Sequence, residues 1–447
     1  MTSSTDTFQQ KYAELNSAQK MAVDTIDGPV LVVAGPGSGK TQILSMRVAN
    51  ILRATDTLPS AILCLTFTDA AAVNMRERLR KIIGSESHHI AVHTFHSFCT
   101  EVMNQYPEFF FEGIQYQPAD PLTKLSILQK VLETMPLTNP LRQYNSEHGW
   151  TYLGNIEDRI GELKKAGFTP ETYRALIQEN NRFLKSVDGK VSSFFEQFKD
   201  ARAAAPHARE LLEILESFDD SEDSEHEPML FQPKKLQQLL VQSLAEAIDE
   251  IEESTKKDSK PFTQWKNKFT KVDSFKHLRL KDAMNAPKFE ALTEIYEAFL
   301  QAMHKEKLFD FDDMLIQVTQ ALEQFPELRY NLQERYLYFL VDEFQDTSGS
   351  QSKLLDLIVD SEISNGQPNI MAVGDDDQAI YKFQGASISN ILNFTEKYPT
   401  AVIVNMVQNY RSVQPVLDYA MGVIDEVGER LTQIPGVSKK LVSEVKK

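Results

Sequence analysis

The chain has 447 residues, too many for one ordinary core, so two or three domains are expected. A hydrophobic share of 42% is normal for a soluble globular protein. The N-terminus MTSSTDTFQQKY lacks the basic-then-apolar pattern of a secretory signal, and no apolar run approaches the roughly 20 residues of a membrane span, so a cytoplasmic protein with no membrane partner is expected. The net charge of -17 excludes a protein that coats nucleic acid by bulk electrostatics and confines any nucleic-acid site to a local patch.

In chain order, the first strong signal is the apolar, β-branched run PVLVVA (29–34), followed by a glycine-rich turn and helical spacing over 40–52. A second strand-helix unit follows, AILCLTF (61–67) and then 69–83, rich in Ala, Arg, Glu and Met. Cys64 and Cys99 form neither a disulfide framework nor a metal cluster and are expected as buried small hydrophobes. A short strand at 90–93 leads into TFHSF. From about 100 to 307 strand signals nearly vanish and helical periodicity dominates, with polar breaks near 136–140, 217–228 and 256–261. Acids run from Glu210 to Glu227 with no Lys or Arg among them, the pattern of a solvated helix end and loop. Strands return as YLYFLV (336–341), NIMAV (369–373) and AVIV (401–404). The expected fold class is α/β: a parallel sheet with helices on its faces, interrupted by a large all-helical insertion and then completed.

Phosphate binding needs several backbone N–H groups aimed at one point, a helix N-terminus behind them, a cation and a hydroxyl. The stretch AGPGSGKT supplies these as Ala34, Gly35, Pro36, Gly37, Ser38, Gly39, Lys40 and Thr41, with a strand before and a helix after. The glycines let the backbone turn tightly, Lys40 carries the charge and Thr41 the hydroxyl for Mg²⁺. Such a loop needs an acidic partner at the end of another strand, and VDEFQD (341–346) provides it. Asp342 is expected to hold Mg²⁺ and Glu343 to activate the attacking water. The long separation between Lys40 and Asp342 is accounted for by the helical insertion.

Together these residues resemble, in order from Leu15 to Ser412, the UvrD/Rep-like DNA helicases of superfamily 1. The resemblance is carried by LNSAQ (15–19), AGPGSGKT, LTFTDAAAVNMRERL (65–79), TFHSF (94–98), VDEFQDT (341–347), VGDDDQAIYKFQGA (373–386) and QNYRS (408–412). It implies an ATP- and Mg²⁺-dependent motor that moves 3′ to 5′ on single-stranded DNA and unwinds duplex at ss/ds junctions, working in DNA repair and recombination with accessory repair proteins. It implies a RecA-like sheet in two parts, 1–100 and 308–405, a helical insertion at 101–307, and the start of a second RecA-like domain at 406–447. Gln19 resembles the residue that reads adenine, since an amide both donates and accepts. Tyr410 would stack on the base, Arg411 would act as an arginine finger, and Gln378 would couple the γ-phosphate to the DNA track. Lys40, Glu343, Gln378 and Arg411 are thus the catalytic set. Phe67, Tyr381 and Phe383 match base-stacking positions, with Thr94 and His96 near the DNA backbone.

Departures from the family pattern stand beside these matches. Gln42 replaces an arginine that stacks on adenine, and Phe383 and Gln384 replace Trp and Arg, which implies weaker base stacking and phosphate contact. The acidic stretch DFDDM (310–314) resembles a family feature and also reads as a helix N-cap with first-turn acids. IPGVSKKL (434–441) faintly resembles a helix-hairpin-helix but has Ser438 where a Gly is needed, and reads as an ordinary helix of a second domain. The family continues beyond the point at which this chain stops, so a fragment or truncated product is expected, binding Mg-nucleotide but showing little DNA-stimulated turnover. Two alternatives are an ATP-gated DNA-binding module that unwinds nothing and the motor part of a helicase-nuclease.

Overall fold

In a computed structural model, which describes residues 4–110, 117–197, 204–218, 235–253, 259–378, 389–424 and 438–445, the six apolar runs form one parallel sheet. Its strands are β1 (Val30–Ala34), β2 (Ile62–Thr66), β3 (Ala91–Thr94), β4 (Tyr338–Val341), β5 (Ile370–Gly374) and β6 (Val402–Met406), in the spatial order β6-β1-β5-β4-β2-β3. β1 pairs on one side with β5, Val30 opposite Met371, and on the other with β6, Val30 opposite Val402. Because every pairing is parallel, all six C-terminal ends lie along one edge of the sheet, where ligands of open α/β sheets bind.

Side chains alternate across the pleat, which divides β1 between two cores. Leu31 and Val33 face helices Phe95–Gln105, Phe311–Gln324 and Gly349–Val359 through Phe98, Val318 and Leu354. Val30, Val32 and Ala34 face helices α1 (Ser17–Asp24), α2 (Lys40–Ala54) and α3 (Asp69–Ile83) through Val23, Ile43 and Met75. Burial on both faces explains why these strands are unbroken apolar runs. Cys64 and Cys99 are both buried and free, and burial pushes the Cys64 thiol up to about 12. Arg47 of α2 is buried as well; it donates to the carbonyls of Ala22, Thr25 and Ile26, tying the C-terminus of α1 to the helix behind the phosphate loop. No described helix is long and apolar enough to cross a membrane.

The stretch between β3 and β4 is mostly helical and holds two further cores. Helix Pro170–Gln197 serves both, with Tyr173 and Ile177 in one and Val187, Val191 and Phe194 in the other. It also carries short ladders, Thr270–Val272 with Leu278–Leu280 and Tyr144–Asn145 with Gly149–Trp150, and Gln117–Pro118 runs parallel to Leu308–Phe309. An all-helical insertion did not include these, because two- and three-residue strands are too short to show alternation. Within DFDDM the helix-cap reading describes the backbone: Asp310 and Asp313 form a capping box at the start of helix Phe311–Gln324. The C-terminal stretch corrects an expectation. Residues 438–441 are not helical, and Val442–Ser443 pairs parallel with Gln408–Asn409, since the amide of Val442 reaches the carbonyl of Val407 at 2.9 Å. Residues 434–437 lie outside the described residues.

One buried charge cluster joins the helical part to the sheet core. Lys164, 1% exposed on helix Leu153–Lys165, reaches Asp310 at 2.9 Å and Asp313 at 2.5 Å. Removing the cation would leave two poorly solvated carboxylates in place. Lys164→Met is therefore expected to lower the unfolding free energy by about 3–5 kcal/mol, measured by denaturant titration.

Candidate functional site at the C-terminal edge of the sheet

The phosphate loop leaves β1 at the fully buried Ala34 and turns through Gly37 (φ 70) and Gly39 (φ 93) into α2. Gly39 occupies the N-cap position with no side-chain cap, and the amides of Lys40 and Thr41 donate to no group among the described residues. Uncapped N–H groups at a helix start are an anion site by construction. The loop's carbonyls are engaged instead: Gly35 accepts from the Ser38 hydroxyl at 2.6 Å, Pro36 from Asn409 Nδ2, and Gly37 from the Tyr410 amide at 2.9 Å. Thr41 and Gln42 follow in the first turn of α2, both half-buried.

From β4 the chain passes through Asp342 into Glu343, whose φ of 49 is left-handed and costly for a residue with a Cβ. This turn brings the Glu343 carboxylate to Lys40, with Nζ to Oε2 at 2.5 Å. Asp342 is 5% exposed, and burial together with Glu343 pushes its carboxyl up to about 6, Lys40 partly opposing. Asp346 rises to about 6 for the same reasons. A cation on one strand end and an acidic pair on another are thus in contact, although about 300 residues separate them in sequence.

A third strand end joins them through Gln345, a residue to which sequence reasoning assigned no role. Its Nε2 donates to Glu343 Oε2 at 2.9 Å and to Asp346 Oδ2 at 3.2 Å, and its Oε1 accepts from the Asp375 amide at 2.9 Å. A Cβ on Gly374 would come within 2.8 Å of that Oε1, so glycine is the side chain that fits there. Asp375 in turn accepts from Gln378 Nε2 at 2.5 Å. Only the unremarkable spacing Glu-x-Gln could have hinted at Gln345.

Other expected residues fall into place unevenly. Gln19 is buried and caps its own helix with Asn16, while its Nε2 donates to the Ser38 carbonyl at 2.9 Å. One donor and one acceptor site on that amide remain. Tyr410 is 47% exposed, its hydroxyl accepting from Asn16 at 2.8 Å. Arg411 is exposed, its Cβ against Gly37 and its guanidinium unpaired among the described residues. Thr94 is buried and its hydroxyl is committed to capping helix Phe95–Gln105 with Ser97. His96 lies 4.0 Å from Asp312, burial lowers its pKa, and its Nε2 has no hydrogen-bond partner. Phe67 is half-buried at the end of β2. Tyr381 and Phe383 lie outside the described residues. No cluster of three or more metal-ligating side chains occurs among the described residues.

Comparison with known proteins gives a consistent result. Residues 15–222 and 201–399 match the family profile described as UvrD/REP helicase N-terminal domain. The chain is 26% identical over 416 residues to ATP-dependent DNA helicase PcrA of Staphylococcus epidermidis strain RP62A, and 24% identical over 416 residues to PcrA of Staphylococcus aureus strain Mu50. In both cases 93% of this chain is aligned, and it spans about 40% of the relative's length.

Asn409, buried at 1%, is the second residue whose role was missed: its Nδ2 holds Pro36 and its Oδ1 accepts from the amides of Arg411 (2.8 Å) and Ser412 (2.7 Å). Asn409→Ala is expected to cost about 1–3 kcal/mol. It should also accelerate hydrogen exchange at the Arg411 and Ser412 amides specifically, read by NMR.

Proposed function

Because this chain belongs to the UvrD/REP helicase family, we propose that it forms the nucleotide-binding front of an ATP-dependent DNA helicase. The whole protein would move 3′ to 5′ on single-stranded DNA and unwind duplex at ss/ds junctions, in the cytoplasm and with accessory repair proteins. The single observation that carries the reading is the 2.5 Å contact between Lys40 and Glu343, which joins a phosphate loop to an acidic strand end. In this reading 1–100 and 308–405 make the first motor domain, 101–307 is inserted in it, and 406–447 opens a second.

The amides at the start of α2 and Lys40 bind the outer phosphates of ATP, and Gln19 and Tyr410 hold the adenine. Phosphate draws Lys40 away from Glu343, which leaves that carboxylate free to take a proton. Glu343 then accepts the proton of the attacking water as its oxygen bonds to the γ-phosphorus, and the bond to the bridging oxygen breaks to release ADP. Asp342 and the Thr41 hydroxyl would hold Mg²⁺, which spreads the phosphate charge. Arg411 faces the same phosphates, and Gln378 reports their presence to the DNA track. That track consists of Phe67, Tyr381 and Phe383 as stacking platforms, with His96 and the backbone around Thr94 beside the DNA phosphates.

Two substitutions test the reading. Lys40→Ala should weaken Mg-ATP binding by at least about tenfold, as loss of a charge-assisted contact does. Glu343→Gln should keep affinity close to that of the wild type and slow single-turnover hydrolysis by about 10²–10⁴-fold. Hydrolysis that survives Glu343→Gln would mean that another base acts.

A further inference from the structure

The stretch 438–445 returns to the nucleotide pocket and takes a place in it. The Asn405 side chain holds the Ser438 carbonyl at 3.1 Å, the Glu444 amide reaches the Asn409 carbonyl at 2.8 Å, and the Ser443 hydroxyl donates to the Ser412 carbonyl at 2.8 Å. So fixed, the stretch lays Leu441 on the phosphate loop: a Cβ on Gly35 would sit 2.5 Å from Leu441 Cδ2. It also delivers Lys439, 9% exposed at its side chain, to Asp375 Oδ1 at 3.1 Å, with Asp377 Oδ2 at 3.9 Å. About 20 Å³ of free space remains among Gly35, Pro36, Asp375, Lys439 and Leu441, too little for a ligand, so this is a packed joint.

Asp375 is 1% exposed and has four partners. One carboxylate oxygen receives Lys439 and the Asp377 amide, the other receives Gln378, and its amide holds Gln345, which holds Glu343. A continuous polar chain therefore runs from Lys439 through Asp375, Gln345 and Glu343 to Lys40. We propose that Lys439 is a positioning residue for hydrolysis: by neutralising Asp375 it fixes the Gln345–Glu343 chain and Gln378 in register with the phosphate loop. The proposal rests on the reading of Glu343 as the base. An unpaired carboxylate buried at this depth would draw other donors or water to itself, and the amide hydrogen bonds it orders would lose their geometry. Burial pulls the Lys439 ammonium below the usual lysine range, with Asp375 opposing only in part.

The test uses this chain, with equilibrium binding of Mg-ATP, single-turnover hydrolysis and a thermal melt. Lys439→Met should slow hydrolysis about tenfold, the worth of one lost charge-assisted hydrogen bond, while affinity changes less than about twofold. Lys439→Arg should restore most of the rate. Adding Lys439→Met to Glu343→Gln should slow it no further, because both act on one base. An unchanged rate in Lys439→Met would overturn the proposal, and so would equal losses of rate and affinity that Lys439→Arg does not repair. If Lys439→Met shows no cooperative melt, Lys439→Gln, which keeps a donor, takes its place under the same criteria. A wild-type chain that binds no Mg-ATP, or a Glu343→Gln chain that hydrolyses as fast as wild type, would overturn the underlying reading and this proposal with it.

Discussion

The parallel direction of all six strands is the constraint from which the site follows. In a parallel sheet every strand ends on the same edge, so the residue just after each strand is placed beside its counterparts from other strands, whatever their distance in sequence. Lys40 follows β1 by a short loop, Asp342 and Glu343 follow β4 directly, Asp375 follows β5, and Asn409 follows β6. The mostly helical stretch of about 240 residues between β3 and β4 does not disturb this, because β4 returns into register between β2 and β5. What determines the chemistry is the first few positions after each strand; the strands themselves are apolar and interchangeable.

Placing charges at that edge has a cost that the structure meets by pairing. Gln345 and Asp375 are each 1% exposed, and an isolated carboxylate at the depth of Asp375 would shed its charge. The pocket instead links them in one chain with a cation at each end, Lys40 on Glu343 and Lys439 on Asp375. The same solution appears far from the pocket, where Lys164 sits between Asp310 and Asp313 and ties the helical part to the sheet. In both places a lysine from one segment neutralises acids on another, so an ion pair ties two parts of the chain together.

The features legible in the sequence are those with local causes. Double-sided burial makes parallel strands read as apolar runs, and the six runs at 29–34, 61–67, 90–93, 336–341, 369–373 and 401–404 lie within two residues of the strands found. Gly37 and Gly39 could be read because a left-handed turn before a helix selects glycine. What stayed hidden has non-local causes. Gln345, Asn409 and Lys439 are common polar residues whose roles depend on a partner that only folding supplies: Gly374 leaves room for one, Pro36 offers a carbonyl to the second, Asp375 a carboxylate to the third. The stretch 438–441 reads as helix because its composition tolerates helix, yet it is not helical, because the pairing of 442–443 with 408–409 and the seat of Leu441 on Gly35 decide its path. Thr94 has a further role that its motif does not show: its hydroxyl caps helix Phe95–Gln105.

On the proposed reading, the Lys40–Glu343 contact has a consequence for the order of events. A free carboxylate beside the phosphate loop would repel the nucleotide's own negative charge, whereas a carboxylate bound to Lys40 presents a nearly neutral surface. Arriving phosphate competes for Lys40, and as it draws the ammonium away the Glu343 carboxylate is left free to accept a hydrogen bond from a water. On that reading the base is masked until substrate unmasks it. The far end of the polar chain must then not relax when the near end changes partner, since Glu343 would otherwise follow Lys40. Gln345 meets that need by holding Glu343 from the side of Asp375, which Lys439 holds in turn.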